Sequence, residues 1–299
     1  MEYKRIIYKP GRVTQIIMNR PRYRNAISHP MYLELEDAFD RATADEECRV
    51  IVHSGAGSCF SGGNDAGTAE AFTSIVPIRT LAAAPGEEIS KEQLSKNLGS
   101  AKAAETYFWD QHNYYAFEMK MKKWRDIPKP TIAMVHGWCV FGAVYSATAM
   151  DLIFASEDAM FVFPFGQCDT TVWDFGPRKT KEILFEHRAV PAREAYELGL
   201  VSRLYPNPEI LERETLAYAH RVADNELITQ IRIAKNSINR TMDIQGFAAS
   251  LDMANVSYRL METTYTEAEQ QDIQQSKGVA RIPRALANLE AKRQAEKDS

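Results

Sequence analysis

A glycine set where a strand gives way to a helix can present an unpaired backbone N–H to an anionic oxygen, and Gly142 sits at such a place. Thr131 to Val135 is a β-rich apolar run, His136 to Gly142 is a glycine-containing elbow, and Ala143 to Met150 is a helix of small residues. N–H groups at a helix N-terminus lack intrahelical partners and carry partial positive charge. The chemistry on offer is an oxyanion hole, with the Gly142 N–H as one donor. A tight turn that only packs a helix on a sheet would carry the same pattern. A second glycine-rich turn, GAGSCFSGGNDAG from Gly55 to Gly67, follows another short strand. A dinucleotide reading fails in detail, because GxGxxG needs glycine where Phe60 stands. What remains is another turn that exposes backbone, Ser61-Gly62-Gly63-Asn64-Asp65. His112 lies among Tyr107, Phe108, Trp109, Tyr114, Tyr115 and Phe117, where a histidine serves chemistry or simply packs.

The elements that must position these groups can be read in order. Tyr3 to Tyr8 and Arg12 to Met18 read as strands joined at Pro10-Gly11. A polar loop follows, with Arg20, Arg22 and Arg24 close together. Ser28 is placed to cap a helix whose Leu35, Ala38, Phe39 and Ala42 recur at helical spacing. Arg49 to His53 reads as a strand. Residues 68 to 100 read as a long loop broken by Pro77, Pro85 and Gly86, and Ala101 to Arg125 as an aromatic-rich helix. Asp151 to Ala155 and Met160 to Phe163 are two more strands. A helix is expected from about Pro177, since proline suits a first turn, and a short one over Pro191 to Leu198. From Pro208 the chain reads as helical, with breaks near Asp224-Asn225 and Gly246. Ala285 to Ser299 is charged and is expected at the surface or on a partner subunit.

Bulk properties exclude several classes. With 45% hydrophobic and 25% charged residues in 299, the composition is that of a globular protein with a sizeable core. A net charge of −4 gives no electrostatic case for nucleic acid or an acidic membrane. No apolar run approaches the roughly 20 residues that span a bilayer. Cys48, Cys59, Cys139 and Cys168 show no CxxC spacing, and no HExxH occurs, so neither a metal knuckle nor a disulfide framework is expected. The expected location is a reducing cytoplasm.

Four stretches together resemble the crotonase (enoyl-CoA hydratase/isomerase) superfamily: NRPRYRNAI (19–27), RVIVHSGAGSCFSGGND (49–65), IPKPTIAMVHGWCVFGA (127–143) and GPRKTKEILF with AREAYELGLVSRLYP (176–206). Their order and spacing carry the resemblance over about residues 3 to 260. It implies an α/β fold, a spiral of ββα units over residues 1–206 with an insertion about 66–126. A C-terminal helical trimerisation region, 207–299, would follow, giving a homotrimer or homohexamer. It implies an acyl-CoA thioester substrate whose oxygen is held, as the enolate forms, by the N–H groups of Asn64 and Gly142. Coenzyme A, entering only as part of the substrate, would lie along Ser61, Gly62, Gly63, Asp65, Ala66 and Gly67, with Arg22 or Arg24 near its phosphates. No metal or redox cofactor is implied.

The sequence also departs from the family. Hydration of a conjugated thioester calls for two proton-moving groups, and the family's two glutamates fall by motif position at Tyr145 and Phe165. Phenylalanine moves no proton. Asp169 and Asp174 lie in a shortened segment nearby. Apolar flanks, Trp173 and Phe175, would raise the Asp174 carboxyl toward a useful range, while a helix cap is its plainer role. Proton transfer is thus expected from a set drawn from Asp174, Asp169, Tyr145 and His112. Enoyl-CoA hydration or isomerisation is the leading expectation. The aromatic helix 107–117 and the Phe161 to Phe165 wall point to a bulky or cyclic acyl group. A retro-Claisen hydrolase acting on a β-diketone, or an acyl-CoA-binding subunit without catalysis, would also fit a site without both glutamates.

Overall fold

Alternating apolar residues on short strands build two sheets set on one continuous spiral. The computed structural model describes residues 2–65, 68, 70, 96, 99–100, 120–164, 170–269, 271 and 281–298. The larger sheet holds β1 (Ile6–Lys9), β2 (Val13–Met18), β3 (Val50–Gly55), β4 (Thr131–Val135), β6 (Leu152–Ser156) and β9 (Arg203–Tyr205), in the order β1-β2-β3-β4-β6-β9. β1 and β2 form an antiparallel hairpin, and every later pairing in this sheet is parallel. The smaller sheet holds β5 (Trp138–Val140), β7 (Met160–Val162) and β8 (Val190–Pro191). β4 and β5 are followed by α3 (Gly142–Thr148), and β6 and β7 by α4 (Thr171–Glu186). Each turn of this ββα spiral gives one strand to each sheet. α1 (His29–Ala44) and α2 (Lys120–Arg125) precede this pair.

Strand periodicity divides the core. Ile16, Ile51, Ala133, Val135 and Ile153 face α1 and α3, while Val50, Val52, Ile132, Met134 and Phe154 face the other way. α5 (Ala192–Glu197) leads into β9, and α6 (Pro208–Ala223) then covers the second face with Leu211, Ala219 and Ala223. α6 is therefore a layer of the sheet core. The expected cap is present: Ser28 Oγ accepts from the Met31 N–H at 3.4 Å. The expected helix at Pro177 is the second half of α4, which Gly176 (φ 72°, ψ 162°) kinks after a first turn from Thr171. α7 (Ile228–Ile244) and α8 (Phe247–Thr264) follow. The final helix, α9 (Arg281–Asp298), packs Ala285 and Leu289 on Val140 and Val162 of the small sheet, with Arg284, Glu290, Arg293 and Lys297 exposed. Among the described residues no helix is long and apolar enough to cross a membrane.

His53 on β3 is closed in this core between Phe39 and Phe60, with ring centroids 5.5 and 5.3 Å away. Its Nδ1 lies 2.9 Å from the Ile16 carbonyl, and its Nε2 has no hydrogen-bond partner. Burial lowers its pKa from 6.5 to about 4. The unfolded chain therefore takes up this proton first, and stability falls as pH drops through 6.5 toward 4. His53 alone is expected to cost about 2 kcal/mol between pH 7 and pH 5. Urea unfolding of His53→Leu should show a correspondingly flatter pH dependence; equal slopes would contradict this.

Candidate active site

The site begins where the turn after β3 meets β5. Ser61 and Cys139 form a parallel bridge, with the Ser61 N–H donating to Trp138 O (2.9 Å) and the Val140 N–H to Ser61 O (3.2 Å). Three residues beyond this bridge, Asn64 and Gly142 come next to one another. Side-chain packing agrees. A Cβ added at Gly142 would strike the Asn64 carboxamide, reaching Oδ1 first and then Cγ and Nδ2 at 2.7 and 3.0 Å. Gly63, at φ +93°, lies so close to β5 that a Cβ there would stand 2.5 Å from the Val140 carbonyl oxygen.

Neighbouring N–H groups of the first turn are all used. Gly62 donates to Arg24 O (2.7 Å), Gly63 to Ser61 Oγ (3.1 Å) and Asp65 to Ile27 O (2.9 Å). On the facing segment, Phe141 donates to Val162 O (2.8 Å). Among the described residues, the N–H groups of Asn64 and Gly142 have no partner. Phe141 holds φ 47° and ψ −110°, a region that disfavours any residue with a Cβ. Strain of this kind, about 1–3 kcal/mol, persists only where the surroundings enforce it. Here it marks the step at which Gly142 is turned away from the sheet.

The turn that carries Asn64 is anchored from below. Asn25 (φ 53°) is fully buried, accepts from the Arg20 N–H and donates through Nδ2 to the carbonyls of Ala56 (2.7 Å) and Cys59 (2.9 Å). Arg20 donates through Nη1 to Ala26 O and pairs with Asp65 at 2.9 Å, both side chains buried. A buried pair of this type holds geometry, because losing either member strands a charge. The Asp65 carboxylate therefore faces inward. Ser61 is likewise buried, donating to Asn25 O (2.7 Å). Both side chains are turned into the fold, where with Gly62 and Gly63 they shape the turn, so a coenzyme lying along this segment would meet its backbone.

Arg22 and Arg24 are exposed and lie in no ion pair among the described residues. Arg24 sits beside the turn, its Cβ 3.5 Å from where a Cβ on Gly62 would be. Tyr145, on α3 with Gly142, is buried in the main core. Phe161 and Phe163 are fully buried, and Phe163 meets Phe175 edge-on at 5.3 Å. These two phenylalanines belong to the main core. His112, Asp169, Ala66, Gly67, Phe165 and the aromatic stretch 107–117 lie outside the described residues.

Asp174 stands in the first turn of α4. Its neighbour Phe175 packs on Phe163, and Val162 before it binds Phe141 N–H, so this turn joins the Gly142 segment through one ring contact. Its Oδ2 is buried without a hydrogen-bond partner. Burial raises the carboxyl from 3.8 to about 6, against a smaller lowering by the Thr170 hydroxyl. A carboxylate in that range can both take and return a proton at neutral pH. Among the described residues no group of three His, Cys, Asp or Glu side chains could hold a metal ion.

Tyr32 was not visible as a site residue in the sequence. It lies on the buried face of α1, where an aromatic reads as core, yet its O–H donates to Asn64 Oδ1 (3.1 Å).

This geometry can be set beside known proteins. A family model described as enoyl-CoA hydratase/isomerase matches residues 9–74 and 100–280. EchA13 of Mycobacterium tuberculosis, an enoyl-CoA hydratase by assignment only, is 36% identical over 250 residues, covering 81% of this chain and 74% of that protein. The mitochondrial Δ(3,5)-Δ(2,4)-dienoyl-CoA isomerase of Pongo abelii is 24% identical over 287 residues, covering 91% of this chain and 81% of the relative. The crystal structure of an enoyl-CoA hydratase/isomerase from Xanthobacter autotrophicus Py2 superposes with a TM-score of 0.72 at 28% identity, over 94% of this chain and 96% of that one. The chain belongs to the enoyl-CoA hydratase/isomerase family, with its crotonase fold.

Proposed function

We propose that this enzyme shifts a double bond in an enoyl-CoA thioester by way of an enolate held between the Asn64 and Gly142 N–H groups. The observation that supports the reading is a pair of backbone donors without a partner among the described residues, on two segments that meet where the Asn64 carboxamide packs against Gly142. A preorganised donor of this kind is worth about 2.7–4 kcal/mol of transition-state stabilisation. In the first step the Asp174 carboxylate takes a proton from carbon, and the C–H electrons move through the acyl chain onto the thioester oxygen. In the second, the electrons return to carbon and the carboxylic acid gives the proton back at a different carbon. No atom is gained or lost, so one carboxyl suffices. Hydration needs a second proton-moving group, and Tyr145 and Phe165 stand where the family's glutamates would be.

Arg22 and Arg24 would hold the phosphates of coenzyme A at the edge of the Gly62 turn. Arg24→Ala with Arg22→Ala should raise KM for acyl-CoA about tenfold and leave kcat nearly unchanged. The effect should vanish on a pantetheine thioester without the nucleotide phosphates; an equal effect on both substrates would contradict this. Exposed apolar side chains on α7 and α8, among them Ile233, Ile238, Ile244, Met253 and Val256, support assembly as a homotrimer or homohexamer. Light scattering should give three or six copies; a monomer at all concentrations would refute it.

The deciding experiment is mass spectrometry of products from crotonyl-CoA and cyclic enoyl-CoA substrates, in oxygen-18 water and in deuterium oxide. Isomerisation predicts deuterium at carbon and no oxygen-18. One labelled oxygen on an intact skeleton would mean hydration, and a labelled carboxylate with a broken C–C bond would mean a retro-Claisen hydrolase. Binding without any conversion would mean a non-catalytic subunit. Preference for crotonyl-CoA would dismiss a bulky acyl group.

A further inference from the structure

Asn64 carries more than a backbone donor. Its carboxamide lies against Gly142, occupying the volume that a Cβ there would need. Oδ1 accepts from the Tyr32 O–H at 3.1 Å, whereas Nδ2 has no partner among the described residues. Asn64 is exposed and Tyr32 is buried, so the contact reaches from the core out to the rim of the site. A neutral amide has one acceptor and two donors. Engaging the acceptor with a phenol leaves the donors free, and Nδ2 stands 3.0 Å from where a Cβ on Gly142 would be, with Oδ1 the nearer carboxamide atom. Burial drives the Tyr32 phenol up, so it stays protonated and donates at any working pH.

We infer that the Tyr32–Asn64 pair supplies a third hydrogen-bond donor for the substrate's developing negative charge: the Asn64 Nδ2 amide touches substrate, and Tyr32 is the positioning residue that fixes which end of the amide faces it. The inference rests on the enolate reading above. It also gives a second reason for glycine at 142, since any side chain there would displace the Asn64 amide.

The test is a double-mutant cycle on the enoyl-CoA substrate that the wild-type enzyme turns over, reading kcat, KM and exchange of the substrate's carbon-bound protons with deuterium oxide. The Asn64 backbone N–H survives in every variant. Asn64→Ala should lower kcat and the exchange rate about tenfold, as expected for loss of one hydrogen bond to a charged group, with KM little changed. Tyr32→Phe should lower both several-fold, and should have no further effect once Asn64 is alanine. Asn64→Asp keeps the Tyr32 contact but puts a negative oxygen where the donor was, so its kcat should fall below that of Asn64→Ala. The inference is overturned if Asn64→Ala matches wild type, if the two losses multiply independently, or if Asn64→Asp is at least as active as Asn64→Ala. A wild-type enzyme that neither exchanges nor converts any acyl-CoA would sink the enolate reading and this one with it. Normal wild-type exchange with unaffected variants would sink this one alone.

Discussion

Asp174→Asn should lower kcat/KM by about 10²- to 10⁴-fold, the usual contribution of a positioned acid or base, and should at the same time raise thermal stability. Both effects come from one fact. The Asp174 side chain is half-buried with its Oδ2 sealed and unpartnered, and burial pushes the carboxyl up from 3.8 to about 6. Between those two values the folded protein binds this proton and the unfolded chain does not. Stability from this group therefore falls as pH rises through that window, and the full cost, about 3 kcal/mol, is present above pH 6. Asparagine removes the charge and recovers part of that cost, which should appear as a melting temperature several degrees higher at pH 7. The wild-type pH profile follows the same titration. A proton-taking carboxylate must be ionised, so kcat/KM should rise as pH increases through about 6 and then level off. That limb should vanish in Asp174→Asn. Full activity in the variant, or lower stability at pH 7, would remove Asp174 from the mechanism.

Gly63→Ala should cost about as much activity by a different route, through backbone alone. Gly63 holds φ +93°, where a Cβ is strained, and a Cβ would lie 2.5 Å from the Val140 carbonyl oxygen. Val140 sits in β5, which is paired to β7, so it has little freedom to retreat. The turn must lift instead, and the Asn64 N–H moves with it. Loss of one oxyanion donor costs about 10²- to 10³-fold in kcat. The backbone strain adds about 1–3 kcal/mol of destabilisation. Gly62→Ala is the steric control. Its added Cβ would meet Arg24 at an ordinary 3.5 Å, and its φ is not positive. Stability should therefore fall far more in the alanine variant at 63 than at 62, read by urea unfolding of both; similar losses would argue against the close approach to β5.

What was legible in the sequence had local causes. Ser28 announces the start of α1 because capping is decided within three residues, and the apolar strands announce the sheet because burial has a period of two. The close approach at Gly142 was legible because a glycine stands where a strand gives way to a helix, whereas Asn64 was reached only through the family resemblance. β5 was hidden in what reads as an elbow, since three residues, Trp138–Val140, are too few to show a period. The first turn of α4 was hidden because Gly176 and Pro177 together look like a helix start. The inward turn of Asp65 depends on Arg20, 45 residues away, and the contact of Tyr32 with Asn64 spans 32. Pairings of that range follow from the fold and leave no local trace. Tyr32 in particular has the spacing of a core residue on an amphipathic helix.

The most direct test of the central claim is a crystal structure of the Asp174→Asn enzyme with an unreactive acyl-CoA thioester bound. The thioester oxygen should lie about 2.7–3.1 Å from both the Asn64 and the Gly142 nitrogen. An ordered acyl-CoA whose thioester oxygen contacts neither nitrogen would contradict the account.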